Sequence, residues 1–274
     1  MTPPRPLALQ LFTVREAFEA DRAAALRRTR ELGFQAVEPY GVVGNSRLAP
    51  AERIARAREF RRLLDDNGLV ACSVHGPVPA DDGFELIFDE MAEIGTDTLI
   101  MPFPGEIAGV EAPLESADGM RAATERLNAC VRAAGSRGLT VGYHNHYQEF
   151  AAFPDGSGLT PWDVLWTHAD PALVAEVDVY WAQTGCGDAA EVVADLGERV
   201  TLLHVKDGPA DTVGMETVLG EGTLDLPAIL TAAGHARWHI VELDDWTGDL
   251  FEASVLGGRW LVEGGWSTWE REAR

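Results

Sequence analysis

Short apolar runs alternate along this chain with longer stretches whose apolar positions recur every three or four residues. The short runs read as strands over residues 7–11, 35–40, 69–75, 98–101, 139–146, 173–178, 200–206 and 238–243, because they are brief and bounded by turn residues. The longer stretches read as helices over 20–32, 50–67, 85–94, 116–137, 161–169, 188–196, 226–233 and 250–262, several closed by a glycine such as Gly33, Gly68 or Gly95. Strict strand-helix alternation demands a parallel sheet with helical crossovers. Eight such units in 274 residues match a single α/β domain folded as a closed (β/α)8 TIM barrel. The competing fold is an open doubly wound sheet. Its dinucleotide fingerprint is missing, since the first strand runs into Thr13-Val14-Arg15-Glu16-Ala17-Phe18 without a glycine-rich turn. No Ser/Gly linker or low-complexity tract divides the chain, so residues 1–274 are expected to form one domain.

The polar residues that interrupt the pattern sit at strand ends. In the run 139–146 side chains alternate between faces, so His144 and His146 project the same way, with Glu149 just beyond. Other runs deliver Glu38, His75, Asp178, His204, Lys206 and Glu242 to or near their C-terminal ends, which is where a barrel of this type assembles its chemistry. Two carboxylates, an imidazole and one further donor suit Mn²⁺, Mg²⁺, Co²⁺ or Zn²⁺. Asp178, His204 and Glu242 supply three donors from three successive strands, and the preceding strand offers Glu149, His144 or His146 as the fourth. Singly, each has a plainer reading: Asp178 as a cap, His204 paired to a backbone carbonyl, Glu242 paired to an arginine. As a set at matching strand ends they favour a metal.

Composition narrows the classes. A net charge of −22 argues against nucleic acid, whose phosphates require a basic surface. No apolar stretch is long enough to span a membrane. The N-terminal segment does not read as a secretory signal, and three widely separated cysteines suit reduced thiols, so a cytoplasmic location is expected. Lys206 is the only lysine. General arginine-for-lysine replacement explains the depletion but not the position of the survivor, two residues after His204 on the same strand face; a compact ammonium there is not interchangeable with a guanidinium.

Several segments, GFQAVEPYG (33–41), YHNHYQEF (143–150), EVDVYWAQTGCGD (176–188), LLHVKDG (202–208), GEGTLD (220–225) and VELDDW (241–246), together resemble the xylose isomerase-like TIM barrels. That group includes sugar and sugar-phosphate isomerases and epimerases, inosose dehydratase, hydroxypyruvate isomerase, 3-dehydroshikimate dehydratase and apurinic endonuclease. The resemblance implies one divalent metal ion held by Glu, Asp, His and Glu. Asp178, His204 and Glu242 match three of those ligands, whereas the usual first glutamate is replaced by His144-Asn145-His146, leaving Glu149 as the fourth ligand with His144 as the alternative. The YHNH variant is similar to the branch near inosose dehydratase and enzymes acting on 3-keto sugars.

The implied activity is a metal-dependent isomerisation or epimerisation of a keto sugar or related polyol through an enediolate. A lyase or dehydratase outcome is the alternative if a β-leaving group departs. The implied roles are His146 or His144 as base or acid, Lys206 polarising an oxygen, Glu38 and His75 binding hydroxyls, and Tyr40 and Trp181 as aromatic contacts. A phosphorylated substrate is disfavoured, because no arginine cluster or glycine-rich phosphate turn follows the seventh or eighth strand. The charge also speaks against a DNA-repair endonuclease, and a non-catalytic sugar-binding barrel would tolerate loss of the donor set. Pairing into a homodimer fits barrels of this sort.

Overall fold

The computed structural model describes residues 3–79, 83–107 and 109–269. Its strands are β1 (Arg5–Gln10), β2 (Ala36–Glu38), β3 (Val70–Ala71), β4 (Val74–His75), β5 (Thr98–Met101), β6 (Thr140–His144), β7 (Val174–Asp178), β8 (Val200–Val205), β9 (Trp238–Val241) and β10 (Ser267–Thr268). The parallel sheet runs β3-β2-β1-β9-β8-β7-β6-β5-β4. Its two end strands are halves of the single expected run 69–75, interrupted at Cys72 and Ser73. A parallel bridge between Tyr40 and His75 helps to draw the ends together, so the sheet closes as a TIM-type barrel. The two-residue β10, unforeseen in the tail, pairs with the start of β1.

Alternation along the strands divides the core in two. Leu7, Leu9, Val37, Leu99, Val141, Tyr143, Val177, Leu203 and Val241 belong to the large cluster that packs the sheet against the helices. Ala8, Ala36, Cys72, Ile100, Leu202, Trp238 and Ile240 form a separate cluster inside the barrel, and Ala8 is in register with both Ala36 and Ile240. Side chains of this kind fill a barrel's interior rather than leaving a pore.

The helices are α1 (Arg15–Ala20), α2 (Arg22–Glu31), α3 (Pro50–Asp66), α4 (Phe84–Ile94), α5 (Ala117–Gly135), α6 (Pro161–His168), α7 (Val179–Cys186), α8 (Ala189–Leu196), α9 (Leu226–Ala232) and α10 (Leu250–Glu263). Short polar side chains fix where most of them begin: Asp21, Ser116, Asp188, Asp225 and Asp249 accept backbone N–H groups at N-termini, and Thr160 with Asp163 forms a capping box on α6. Gly95 closes α4 at φ 86°, a conformation that favours glycine. The sequence pattern did not resolve α1 or α7, which follow their strands almost directly. Among the described residues no helix is long and apolar enough to cross a membrane.

Candidate functional site

Polar side chains fill the barrel beyond the apolar plug. The alternation that places Ala8, Ala36, Leu202 and Ile240 inside also places Gln10, Glu38, His204 and Glu242 inside, two residues further along the same strands. Glu176 and Asp178 repeat the step on β7, and His144 enters from β6. Glu38, Glu176, Asp178 and His204 are completely buried.

Two groups of potential donors share His204: His75, His144, Glu176 and His204 in one, and Asp178, His204 and Glu242 in the other, with the donor atoms of each within 4.8 Å of one another. In the first, Glu176 Oε2 lies 2.7 Å from His75 Nε2, 3.1 Å from His144 Nδ1 and 3.2 Å from His204 Nε2. Glu38 Oε2 lies beside it, 2.6 Å from His204 Nε2 and 3.1 Å from His75 Nε2, and accepts from Gln10 Nε2 at 2.7 Å. Ser73 donates to the other Glu38 oxygen. In the second, Glu242 Oε2 is 2.7 Å from His204 Nδ1. Asp178 Oδ1 accepts the Trp181 N–H at 2.9 Å and so caps α7. Its Oδ2 makes no hydrogen bond, although Lys206 Nζ lies 3.2 Å away.

Lys206 is surrounded by acids. Its Nζ donates to Asp244 Oδ2 at 2.6 Å and lies 3.0 Å from Glu242 and 3.7 Å from Glu216. Burial would lower its pKa, but Asp178, Asp244, Glu242 and Glu216 hold it well above the usual lysine value. Burial raises Glu216 to about 8 and Asp178 to about 6, in each case against the pull of Lys206. Burial alone would also lower His75 and His204; the surrounding carboxylates instead raise His75 to about 10 and His204 well above its ordinary value. His146 is the contrast, since burial and then the Lys206 charge push it down to about 4. Its ring is therefore neutral near pH 7, and its buried Nδ1 has no partner.

A cavity of about 330 Å³ opens onto this cluster, with His75, His144, His146, Lys206, Glu242 and Asp244 on its polar side. Phe12, Tyr40, Val43, Pro77, Pro102 and Phe103 supply its apolar side. Among the described residues no arginine lines it.

The structure thus gathers Asp178, His204, Glu242, His144, His146, His75 and Lys206, and it does not gather Glu149. Tyr143 lies on the opposite face of β6 from His144, buried against the helix layer, and its hydroxyl needs an acceptor there. Glu149 provides it at 2.6 Å and takes the His146 N–H at 3.1 Å with its other oxygen. The expected fourth ligand is thereby turned away from the barrel axis. Glu38 is also placed differently from a hydroxyl-binding group: both oxygens are engaged and it does not line the cavity. Trp181 likewise stands outside the lining; its indole N–H donates to Asp244 at 3.2 Å and Lys206 Nζ lies 5.6 Å from its ring centre. Tyr40 does line the cavity, with its hydroxyl donating to Glu19. Sequence reasoning missed Glu176, Asp244 and Glu216. Glu176 was signalled by the two-residue step to Asp178 in an otherwise apolar strand.

The sequence profile of the xylose isomerase-like TIM barrel matches residues 26–254. The chain belongs to that family. Among solved structures, this xylose isomerase-like barrel is similar to a sugar phosphate isomerase/epimerase from Parabacteroides distasonis, with a TM-score of 0.77, 22% identity and coverage of 98% of this chain and 96% of the other. It is also similar to an L-ribulose 3-epimerase (TM-score 0.66, 16% identity, 96% and 94% covered). A third structure, a probable 3-DHS dehydratase from Bacillus anthracis, aligns with a TM-score of 0.65 at 12% identity over 94% and 98% of the two chains. At these identities the likeness is one of fold. No functionally curated protein matches the sequence.

The donor set of this xylose isomerase-like barrel fits a divalent cation. Asp178 Oδ2 and Glu176 Oε1 are buried oxygens without hydrogen-bond partners; Lys206 Nζ stands 3.2 Å from the first, and the second is left to a cation to relieve. Imidazole and carboxylate donors converge around them in the combination such ions take.

Proposed function

We propose that this protein is a divalent-metal-dependent isomerase or epimerase of a keto sugar or related polyol, working through an enediolate. The observation that carries the reading is a neutral imidazole, His146, lining the same cavity as Glu242, behind which Asp178 and His204 complete a convergent set of buried metal-type donors. Asp178, His204 and Glu242 would hold the ion, which when bound polarises a substrate carbonyl and the adjacent hydroxyl.

His146 takes the proton from the carbon that bears that hydroxyl and, for isomerisation, returns it to the former carbonyl carbon as the hydroxyl proton passes to the other oxygen; for epimerisation a second proton donor delivers to the opposite face. It suits that task because its ring is neutral near pH 7 and so keeps one ring nitrogen with a lone pair able to receive a proton. Lys206, kept charged by its carboxylate neighbours, stabilises negative charge developing on a substrate oxygen. His144, tied to Glu176 and beside His146 with ring centres 5.0 Å apart, supports the position of His146 more readily than it abstracts protons itself. Tyr40, His75 and the apolar side of the cavity border the sugar's C–H faces. Since the cavity's single ammonium is already matched by carboxylates and no arginine accompanies it, the substrate is unphosphorylated.

Glu106 supports a lyase as the second reading. It lines the cavity, and desolvation raises its pKa, which equips it to protonate a departing β-substituent. Incubation with a panel of keto sugars in D₂O separates the outcomes. Deuterium should enter the carbon α to the carbonyl, and a chelator should abolish the exchange; loss of water or of a glycosidic substituent marks the lyase. Absence of exchange from every keto sugar in the metal-loaded protein would remove the enediolate reading.

A further inference from the structure

His204 stands between two donor sets of different chemistry. One is rich in carboxylate: Asp178 and Glu242, with His204 as its only imidazole. The other contains three imidazoles, from His75, His144 and His204, and the carboxylate of Glu176. Glu176 precedes Asp178 by two residues on β7 and faces the same way, so the carboxylate of the imidazole-rich set, called the inner set, lies one strand step deeper than Asp178 while its His75 and His144 line the cavity. The two sets also differ in what already occupies them. In the outer set, the Lys206 ammonium lies 3.2 Å from Asp178 Oδ2 and 3.0 Å from Glu242 Oε2, where it supplies positive charge to both carboxylates.

Among the described residues the inner set has no ammonium; its carboxylate is faced by imidazoles alone. Three ring nitrogens, from three different strands, gather at one oxygen, Glu176 Oε2: His75 Nε2 at 2.7 Å and His144 Nδ1 at 3.1 Å bond to it, and His204 Nε2 stands 3.2 Å away while bonding to Glu38 Oε2 at 2.6 Å. The partner oxygen of the same carboxylate, Oε1, is buried with no hydrogen bond at all, a cost that a cation would relieve. Neighbouring side chains are also arranged as supports. Glu242 Oε2 lies 2.7 Å from His204 Nδ1, which fixes the ring with its Nε2 toward Glu176. A carboxylate on the remote nitrogen of an imidazole is how metal-binding histidines are commonly oriented.

We propose that His75, His144, Glu176 and His204 form a second cation seat, selective for an imidazole-preferring transition metal such as Zn²⁺ or Co²⁺. The proposal deepens the metal-dependent reading above and rests on it. The two seats share His204, so they are alternatives within one chain. Carboxylate-preferring Mg²⁺ and Mn²⁺ favour the outer seat, in competition with Lys206, and imidazole-preferring ions favour the inner one. In the inner seat Glu242 acts as a positioning residue on His204, and Glu38, held by Gln10 and Ser73, borders the ion.

The ligand count separates the seats directly. X-ray absorption on the zinc-loaded full-length protein should show scattering from three imidazoles, and a single imidazole would overturn the proposal. Titration with Co²⁺, followed by its visible spectrum, provides the second arm. Glu176→Gln should weaken Co²⁺ binding by more than the roughly 10- to 100-fold typical of losing an outer orienting partner, while Asp178→Asn should leave it within a few-fold. The reverse pattern, or no binding of Zn²⁺ or Co²⁺ by the wild type, would overturn the proposal. Should Glu176→Gln fail to fold by circular dichroism, His144→Gln replaces it with the same expectation. Failure of the functional reading looks different: three imidazoles around zinc, but no metal-dependent deuterium exchange into any keto sugar. A single imidazole alongside manganese-dependent exchange would remove the inner seat and leave the function standing.

Discussion

Toward the N-terminal end of the barrel, Ala8, Ala36, Leu202 and Ile240 fill the interior with apolar atoms. Two residues further along the same strands, Gln10, Glu38, His204 and Glu242 occupy it with groups that are buried just as completely or nearly so. The two regions share strands, pleat and burial and differ by one step of alternation. The apolar end gains stability from every buried atom. At the polar end each buried charge is costly unless its partners remain in place, and those partners are the groups that make chemistry possible.

Substitutions at the two ends should therefore fail in different ways. The largest effect is expected from His146→Gln, which removes the neutral base of the polar end: turnover should fall by roughly 100- to 10,000-fold, with the thermal midpoint nearly unchanged. A comparable loss of stability would show that His146 is a structural residue. Lys206→Met strips the ammonium from Asp178, Glu242, Asp244 and Glu216. Removing one partner from a buried charge cluster costs about 3–5 kcal/mol, so denaturant unfolding should register the loss alongside reduced activity. If a bound divalent ion rescues the stability, the ammonium and the ion serve the same carboxylates.

Ile240→Ala tests the apolar end. A fully buried isoleucine replaced by alanine costs about 2–5 kcal/mol, but the kcat of the folded protein should change by less than the stability does. A kcat collapse would mean that the plug transmits geometry to the mouth. The smallest effect belongs to Glu149→Gln, where the loss of one buried charge-assisted hydrogen bond network costs about 1–3 kcal/mol and metal content should not change. Metal loss in that variant would return Glu149 to the ligand set.

The fold was legible because period-two and period-3.6 patterns alternate without interruption, and parallel strands joined by helices admit few architectures. Strand ends were legible for the same reason: His144, Asp178, His204, Lys206 and Glu242 all gather at one end of the barrel interior. Glu149 was misjudged because three residues of loop after His146 leave its direction open, and the deciding contact, the Tyr143 hydroxyl, lies on the other face of β6. Glu176 was overlooked although alternation puts it on the face of Asp178, because the run read as ending on the aspartate. Asp244 and Glu216 come from loops whose paths the pattern does not encode, and only the three-dimensional meeting with Lys206 reveals them.

Because His204 belongs to both donor sets, metal stoichiometry in His204→Gln tests the central claim most directly. After chelation and dialysis against Mn²⁺, Co²⁺ or Zn²⁺, elemental analysis should find about one ion per wild-type chain and essentially none in the folded variant. Equal metal content in the two proteins would contradict the account, since a divalent ion would then be held without the residue on which both donor sets converge.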